Sequence, residues 1–167
     1  KGFDDAIRAG TGDSVNNFKG LDGVADAATA VLRSDKSIKR LEVNYLRDEK
    51  IITDIDIELE TGDAIEVKNY ELSNVQDWTL EEAIERGGEA FDQRKKYIDL
   101  EDKIESYAKA KDESGGTFDG NQIIIAGRSG PSDDLKTLAK EMEDKLMEKY
   151  SWDVDIRYVG ISELDTV

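Results

Sequence analysis

The sequence predicts an α/β fold with one mixed β-sheet, built in the order helix, three strands, helix, strand, helix, strand. Three observations lead to this prediction. Residues 51–70 alternate between apolar and charged side chains, as the two strands of a hairpin do. A long helical pattern follows at residues 80–112. The apolar run at residues 121–126 then has the composition of a buried central strand.

The first half of the chain is expected to form a helix and an antiparallel meander. Apolar residues recur at helical spacing over residues 24–32 and predict the first helix. Residues 41–45 alternate as a strand, and residues 47–50 form the turn that leads into the hairpin at 51–70. The three strands therefore pair with antiparallel neighbours.

The second half is expected to add parallel strands. Thr79 and Glu82 fit a capping box that opens a helical region, which is predicted to bend or break at residues 87–88, both Gly. Ser132 has the position of an N-cap for the last helix, and residues 152–158 alternate as a half-buried last strand. Strand, crossover helix and strand imply parallel pairing by the right-handed crossover rule.

Composition limits both the fold and the chemistry. With 167 residues, 38% of them hydrophobic, the chain is long enough for one core, and residues 21–167 are predicted to form a single domain after a flexible segment at residues 1–20. No apolar run reaches the length of a membrane span. Since Cys and His are both absent, thiolate and imidazole chemistry is excluded, and catalysis would have to use carboxylates, lysine, water and a metal ion.

The net charge of −16 points away from a nucleic-acid binder, which normally offers a positive field to phosphates. Basic residues near the hairpin, at 36–50, and in the helical region, at 94–96, leave room for a local positive groove. A high-salt habitat or a basic partner protein would also account for an acidic surface.

The hairpin at residues 51–70 brings acids and an amine together. One face of the first strand is predicted to carry Ile51, Thr53, Ile55, Ile57 and Leu59, and the other Ile52, Asp54, Asp56, Glu58 and Glu60. On the returning strand, Glu66 and Lys68 share a face. If the two polar faces meet, the carboxylates of both strands converge beside the Lys68 amine. Oxygen ligands of this kind suit a hard divalent cation.

This hairpin resembles the signature of the PD-(D/E)XK nuclease superfamily, which is an acid, a spacer with a turn, and Glu-x-Lys. The match is Asp56, the spacer 57–65 and Glu66-Val67-Lys68, with Asp54 as a second candidate for the leading acid. The Pro-Asp dipeptide is absent, so spacing alone assigns that acid. The helix that contains Gln93 resembles the glutamine-bearing helix of many members. The resemblance implies a restriction-endonuclease-like mixed sheet, an α-βββ-α-β core, with an added helix and strand.

The resemblance also implies an activity, namely hydrolysis of phosphodiester bonds by a metal-dependent endonuclease, with DNA favoured over RNA. Asp56, Glu66, Lys68 and Gln93 would be the catalytic residues. Mg²⁺, for which Mn²⁺ can substitute, would be held by Asp56, Glu66 and the Val67 carbonyl, with Asp54 as a further candidate ligand. Lys68 would orient or deprotonate the attacking water, which requires a lowered pKa.

A small nuclease domain of this kind resembles the toxic C-terminal domain of a contact-dependent inhibition or related polymorphic system. Such a domain acts in the cytoplasm of a target cell after delivery as part of a larger secreted protein, and an immunity protein would then be a partner. Two alternatives remain open, a catalytically inactive nuclease-like module that binds another protein, and an RNA-cleaving toxin that acts on tRNA.

Several polar residues also have structural interpretations. Glu58 and Glu60 fit the solvated face of a hairpin, and Gln93 fits an exposed helical position. The Glu66 and Lys68 pair alone would be a surface ion pair of little energetic value. Further metal acids could come from Glu42, Asp22 or Asp26, without a preference among them. The loop at residues 127–131 fits a turn followed by a helix cap better than a phosphate loop.

Overall fold

The computed structural model describes residues 15–113 and 119–167. These residues form an α/β fold with four helices and a five-stranded sheet. The helices are α1 (Val15–Arg33), α2 (Leu80–Arg86), α3 (Gly88–Glu113) and α4 (Asp133–Tyr150), and the strands are β1 (Ile38–Arg47), β2 (Lys50–Leu59), β3 (Ala64–Val67), β4 (Gln122–Gly127) and β5 (Asp155–Gly160). No helix among the described residues is long and apolar enough to cross a membrane.

The sheet is mixed, as predicted, and its strands lie in chain order from β1 to β5. The β1–β2 and β2–β3 pairs are antiparallel, whereas the β3–β4 and β4–β5 pairs are parallel. β3 is therefore the central strand, and both of its edges are paired. The Glu66-Val67-Lys68 segment starts in this strand and leaves it at Lys68.

Helices cover both faces of the sheet. Helix α1 packs on one face through a small cluster in which Ile57, Ile65 and Ile124 meet its apolar side. Helices α3 and α4 pack on the other face around a larger cluster. That larger cluster contains Ile104 and Tyr107 of α3, and the face of the sheet beneath these residues carries Glu66.

The boundaries of the helices follow the predicted signals. Thr79 accepts a hydrogen bond from the Glu82 N–H, and the Glu82 carboxylate bonds back to the Thr79 N–H, which completes the capping box. Gly87, at φ 95°, separates α2 from α3. Ser132 caps α4 through the Leu135 N–H. Helix α1 begins at Val15, earlier than expected, and residues 1–14 of the predicted flexible segment lie outside the described part of the chain.

The predicted alternation along β2 is wrong in one respect, because the strand changes faces in its middle. Ile57 and Leu59 pack with α1, whereas Ile55 packs on the side of α3 and α4. The change coincides with Glu42 on β1, which has a φ of 50° and lies between the paired positions Leu41↔Ile57 and Val43↔Ile55. A non-glycine residue in this region of φ is uncommon.

Candidate active site

The site lies where the β2–β3 ladder ends. Ile57 pairs with Ile65, and beyond this pair the Asp56 side chain takes the place of a backbone acceptor. Its Oδ2 accepts a hydrogen bond of 2.6 Å from the Val67 N–H. The first acid of the predicted motif is therefore attached directly to the middle residue of Glu66-Val67-Lys68.

Glu66 is the buried centre of the site, with 4% of its surface exposed. Lys68 Nζ lies 2.7 Å from Glu66 Oε1, so the two residues form the ion pair that their spacing in the sequence predicted. On the other side, the Tyr107 hydroxyl donates a hydrogen bond of 2.6 Å to Glu66 Oε2. Each oxygen of this buried carboxylate therefore has a donor, as a buried polar group requires.

Helix α3 contributes a second lysine that the sequence analysis missed. Lys103 Nζ lies 2.7 Å from Asp54 Oδ1 and 2.9 Å from the Asp54 carbonyl oxygen. The same nitrogen lies 3.3 Å from Glu66 Oε2. Lys103 and Tyr107 are four positions apart and so lie on one side of α3. Their helical spacing was visible in the sequence, but nothing there indicated that this side faces Glu66.

The carboxylates outnumber the amines at the site. Glu42, Asp54, Asp56 and Glu66 face the ammonium groups of Lys68 and Lys103, which leaves a formal excess of two negative charges. Burial and the nearby charge of Glu66 raise the pKa of Asp56 well above its usual range. Burial, together with Asp54 and Glu66, also raises the pKa of Glu42. Burial is the largest cause of both pKa shifts, and the neighbouring carboxylates add to it.

The ion pairs of Lys103 and Lys68 shift pKa values in the direction that favours the charged forms. Burial opposes ionisation of Asp54, but the Lys103 ammonium outweighs it and lowers the pKa of Asp54. Burial likewise opposes the charge of Lys68, but Glu66 outweighs it and the pKa of Lys68 is raised. This shift is opposite to the lowering that a proton-accepting Lys68 would need. In this arrangement, Lys68 is a cation that can stabilise negative charge.

Of Glu42, Asp22 and Asp26, Glu42 is the acid that lies close to the other carboxylates of the site. Its carboxylate is close enough to Asp54 and Glu66 for their charges to raise its pKa. Asp22 and Asp26 lie exposed on α1, which packs on the opposite face of the sheet. The positive φ of Glu42 is the kind of local backbone strain that concentrates at functional sites.

Gln93 is on the predicted helix, but its described contact is with an indole and not with the acids. Trp78 Nε1 donates a hydrogen bond of 2.7 Å to Gln93 Oε1. Ten helical positions, or about 15 Å along the axis, separate Gln93 from Lys103. The contact with Trp78 gives Gln93 a structural role that the sequence analysis did not include.

Glu58 does not lie on a solvated face, so that interpretation is wrong. Its side chain is fully buried, and it forms ion pairs of 3.0 Å with Lys39 Nζ and 2.6 Å with an Arg40 guanidinium nitrogen. Glu60 is exposed, as predicted. The loop after β4 is a turn that leads to the Ser132 cap, with the Arg128 N–H bonded to the Tyr70 carbonyl oxygen.

The donor set matches a hard divalent ion in chemistry and charge, but its side chains are paired with one another. Within residues 15–113 and 119–167, no group of three or more acidic side chains is arranged to hold a metal ion. The oxygens of Glu66 and Asp54 instead bind Lys68, Lys103 and Tyr107. A metal ion would therefore have to replace some of these donors.

Comparisons with protein-family models, with curated proteins and with solved structures found no match for this chain.

Proposed function

We propose that this protein is a metal-dependent nuclease with a restriction-endonuclease-like fold. One observation carries the proposal, the convergence of Asp56 and Glu66, on neighbouring strands of the sheet, with the Lys68 ammonium and the Val67 backbone. Ionised groups buried at the end of a strand ladder are costly unless they serve a ligand or a reaction. The mixed sheet, with β3 at its centre, agrees with the fold that the resemblance implies.

The residues that would hold Mg²⁺ or Mn²⁺ are Asp56, Glu66 and the Val67 carbonyl, with Asp54 or Glu42 as further oxygen donors. A divalent ion held here would offset the burial and the carboxylate repulsion that raise the pKa of Asp56 and of Glu42. When bound, the ion would supply charge stabilisation to a phosphate oxygen and would lower the pKa of a bound water.

The protein groups then have distinct tasks. Lys68, held by Glu66 at 2.7 Å, presents a positive charge to the phosphate as negative charge develops. Tyr107 fixes the orientation of Glu66 from α3. Lys68 is placed here as a charge stabiliser and not as the general base, because its ion pair with Glu66 favours the protonated amine.

A lysine and an aromatic ring beside the site support a nucleic-acid substrate in spite of the acidic composition. Lys96, two turns before Lys103 on α3, lies 4.8 Å from the centre of the Tyr70 ring. Tyr70 follows β3 two residues after Lys68. Lys96 also forms an ion pair of 2.6 Å with Asp92. An aromatic ring beside an amine can stack on a base while the amine contacts a phosphate.

The direct test is cleavage of plasmid DNA and of tRNA in the presence of Mg²⁺ or Mn²⁺. We expect cleavage by the wild type, with DNA preferred, and its loss in Glu66→Gln and Lys68→Ala. Matched controls are Glu60→Gln and Lys95→Ala, because both residues are exposed and lie outside the site. Metal-dependent cleavage that survives in Glu66→Gln or Lys68→Ala would refute the proposed roles.

The toxin role extends this proposal to cells. Production of the wild-type chain in bacterial cytoplasm should arrest growth and fragment DNA, whereas Glu66→Gln should be tolerated at the same protein level. Arrest by both proteins would show that the effect does not depend on the proposed chemistry. A co-expressed immunity protein would restore the growth of cells that produce the wild-type chain, and this effect would identify it.

The second candidate is an inactive nuclease-like module that binds a basic protein. The observation in its favour is that both Glu66 oxygens already have protein donors, Lys68 on one and Tyr107 on the other. Metal binding separates the two candidates. A nuclease should gain thermal stability from Mn²⁺, and Asp56→Ala should remove this gain, whereas the module should show no gain.

A further inference from the structure

Lys103 is placed unusually for a lysine on a surface helix. Its ammonium lies within 3.3 Å of three oxygens that come from two neighbouring strands, the carboxylate and carbonyl oxygens of Asp54 on β2 and Oε2 of Glu66 on β3. Only 14% of its side chain is exposed. An ammonium bound by several oxygens of this kind has the environment of a bound cation.

Lys68 does not bridge two strands as Lys103 does. Its described ion pair is with Glu66 Oε1, from a position two residues along the chain, so it lies beside the acids. Lys103 instead joins Asp54 to Glu66 and contributes a positive charge between the two strands. Hard divalent cations bind the same carboxylate and carbonyl oxygens. An ammonium and a divalent ion repel each other at short range, so the two compete for these three oxygens.

We infer that Lys103 is the resident counter-ion of the site and competes with the divalent cation for Asp54 and Glu66. This inference rests on the proposed function, because it needs a metal ion to bind there. Lys103 can withdraw because its ammonium is carried on a flexible four-carbon stem that still reaches solvent. Lys103 thus occupies oxygens of Asp54 and Glu66 until an ion binds, and it weakens the apparent affinity for that ion.

The size of this effect follows from population arithmetic. If the ammonium is withdrawn in about one molecule in ten or fewer, the apparent dissociation constant is at least about tenfold weaker than that of an open site. Lys103→Met keeps the length and the apolar stem of the side chain and removes the ammonium. This variant should therefore bind the ion at least about tenfold more tightly than the wild type.

The experiment is calorimetric titration of the folded protein with Mn²⁺ alone. Four variants complete the set. Lys103→Arg keeps a cation at the position, Lys68→Met removes one positive charge from beside the same acids, Lys109→Met changes an exposed lysine of the same helix, and Lys103→Gln replaces the ammonium with an uncharged donor. Circular dichroism identifies any variant that fails to fold, and Lys103→Gln then replaces Lys103→Met.

The expected result is tighter binding in Lys103→Met and Lys103→Gln, with little change in Lys103→Arg and Lys109→Met. The gain in Lys68→Met should be smaller, because Lys68 does not join Asp54 to Glu66. Equal gains in Lys68→Met and Lys103→Met would overturn the inference, because general charge would then explain both. Unchanged or weaker binding in Lys103→Met would overturn it as well.

The titration also separates this inference from the proposed function. Binding by the wild type that Asp56→Asn abolishes supports the metal site, whatever Lys103 does. If neither the wild type nor Lys103→Met binds Mn²⁺, both proposals fail together. Binding detected in Lys103→Met alone supports the inference strongly, since the wild-type site would then be closed by its own lysine.

Discussion

Asp56 and Val67 join β2 to β3 at the point where the backbone ladder between the two strands stops. The Val67 N–H donates to Asp56 Oδ2 at 2.6 Å, next to the last paired residues, Ile57 and Ile65. The Asp56 side chain thus replaces a backbone acceptor. The same carboxylate links β2 to β3 and lies in the candidate site. Stability and the proposed function should therefore depend on Asp56 in different ways.

Asp56→Asn should separate these two roles. The amide keeps an oxygen for the Val67 N–H and removes a buried negative charge, so the free energy of unfolding should be unchanged or higher. Asp56→Ala should lower it by about 1–3 kcal/mol, because the Val67 N–H loses its acceptor. Urea denaturation without metal measures both values. Equal destabilisation by the two substitutions would show that the hydrogen bond is not what matters.

Glu58 should need a cation because it is fully buried. Replacing Lys39 and Arg40 together by Met removes both of these cations and should lower the free energy of unfolding by about 3–5 kcal/mol. Adding Glu58→Gln should restore most of this loss, because an amide needs no counter-ion. Glu60→Gln, on the exposed neighbour, should stay within about 0.5 kcal/mol of the wild type in urea denaturation. A triple variant no more stable than the double one would contradict this account.

Tyr107→Phe should destabilise the protein through Glu66. It removes the hydroxyl that donates a hydrogen bond of 2.6 Å to the buried Glu66 carboxylate. Hydrogen bonds to charged groups contribute about 1.5–3 kcal/mol to stability. Tyr150→Phe is the matched control, because its hydroxyl lies 3.4 Å from Glu105 in a less buried place. We expect the control to change the unfolding free energy by less than about 0.5 kcal/mol. Similar losses in the two variants would argue against a special role for Glu66.

Glu105 should contribute stability that is lost in acid. Lys149 and Lys145 lower the pKa of Glu105 from 4.5 to about 2 in the folded protein. Because the folded value lies below the unfolded one, the contribution is complete above about pH 4.5 and disappears as the pH falls through about 2. The wild type should exceed Glu105→Gln in stability by about 1 kcal/mol or less at neutral pH. Urea denaturation at several pH values measures the difference, and a constant difference at all of them would contradict the prediction.

Gln93 and Trp78 should act as one unit. Gln93→Ala and Trp78→Phe each break the 2.7 Å hydrogen bond between them, which is worth about 1 kcal/mol. The double variant should therefore lose less stability than the two single losses added together. Thermal denaturation of the four proteins gives the coupling energy. Strict additivity would mean that the contact contributes nothing, and Gln93 would then be available for a role in substrate binding.

Much of the fold follows from local patterns. Thr79 and Glu82 form the capping box that their spacing predicts, and Gly87 divides the helical region as expected. The order of elements and the mixed sheet were predictable because strand and helix periods are properties of short stretches of chain. The change of faces between Ile55 and Ile57 was not predictable, because the strict alternation of β2 contains no sign of it. It lies opposite Glu42 of the neighbouring strand, which has a φ of 50°.

The sequence alone determined which acids and which amine the hairpin carries. Asp56 lies on its first strand, and Glu66 and Lys68 lie two positions apart after the turn. Only the tertiary structure decided what surrounds them. Tyr107 lies 41 positions from Glu66, and Lys103 lies 49 positions from Asp54. Which side of α3 meets the sheet depends on the packing of the whole larger core, so residues this far apart in the chain become neighbours only when that core forms.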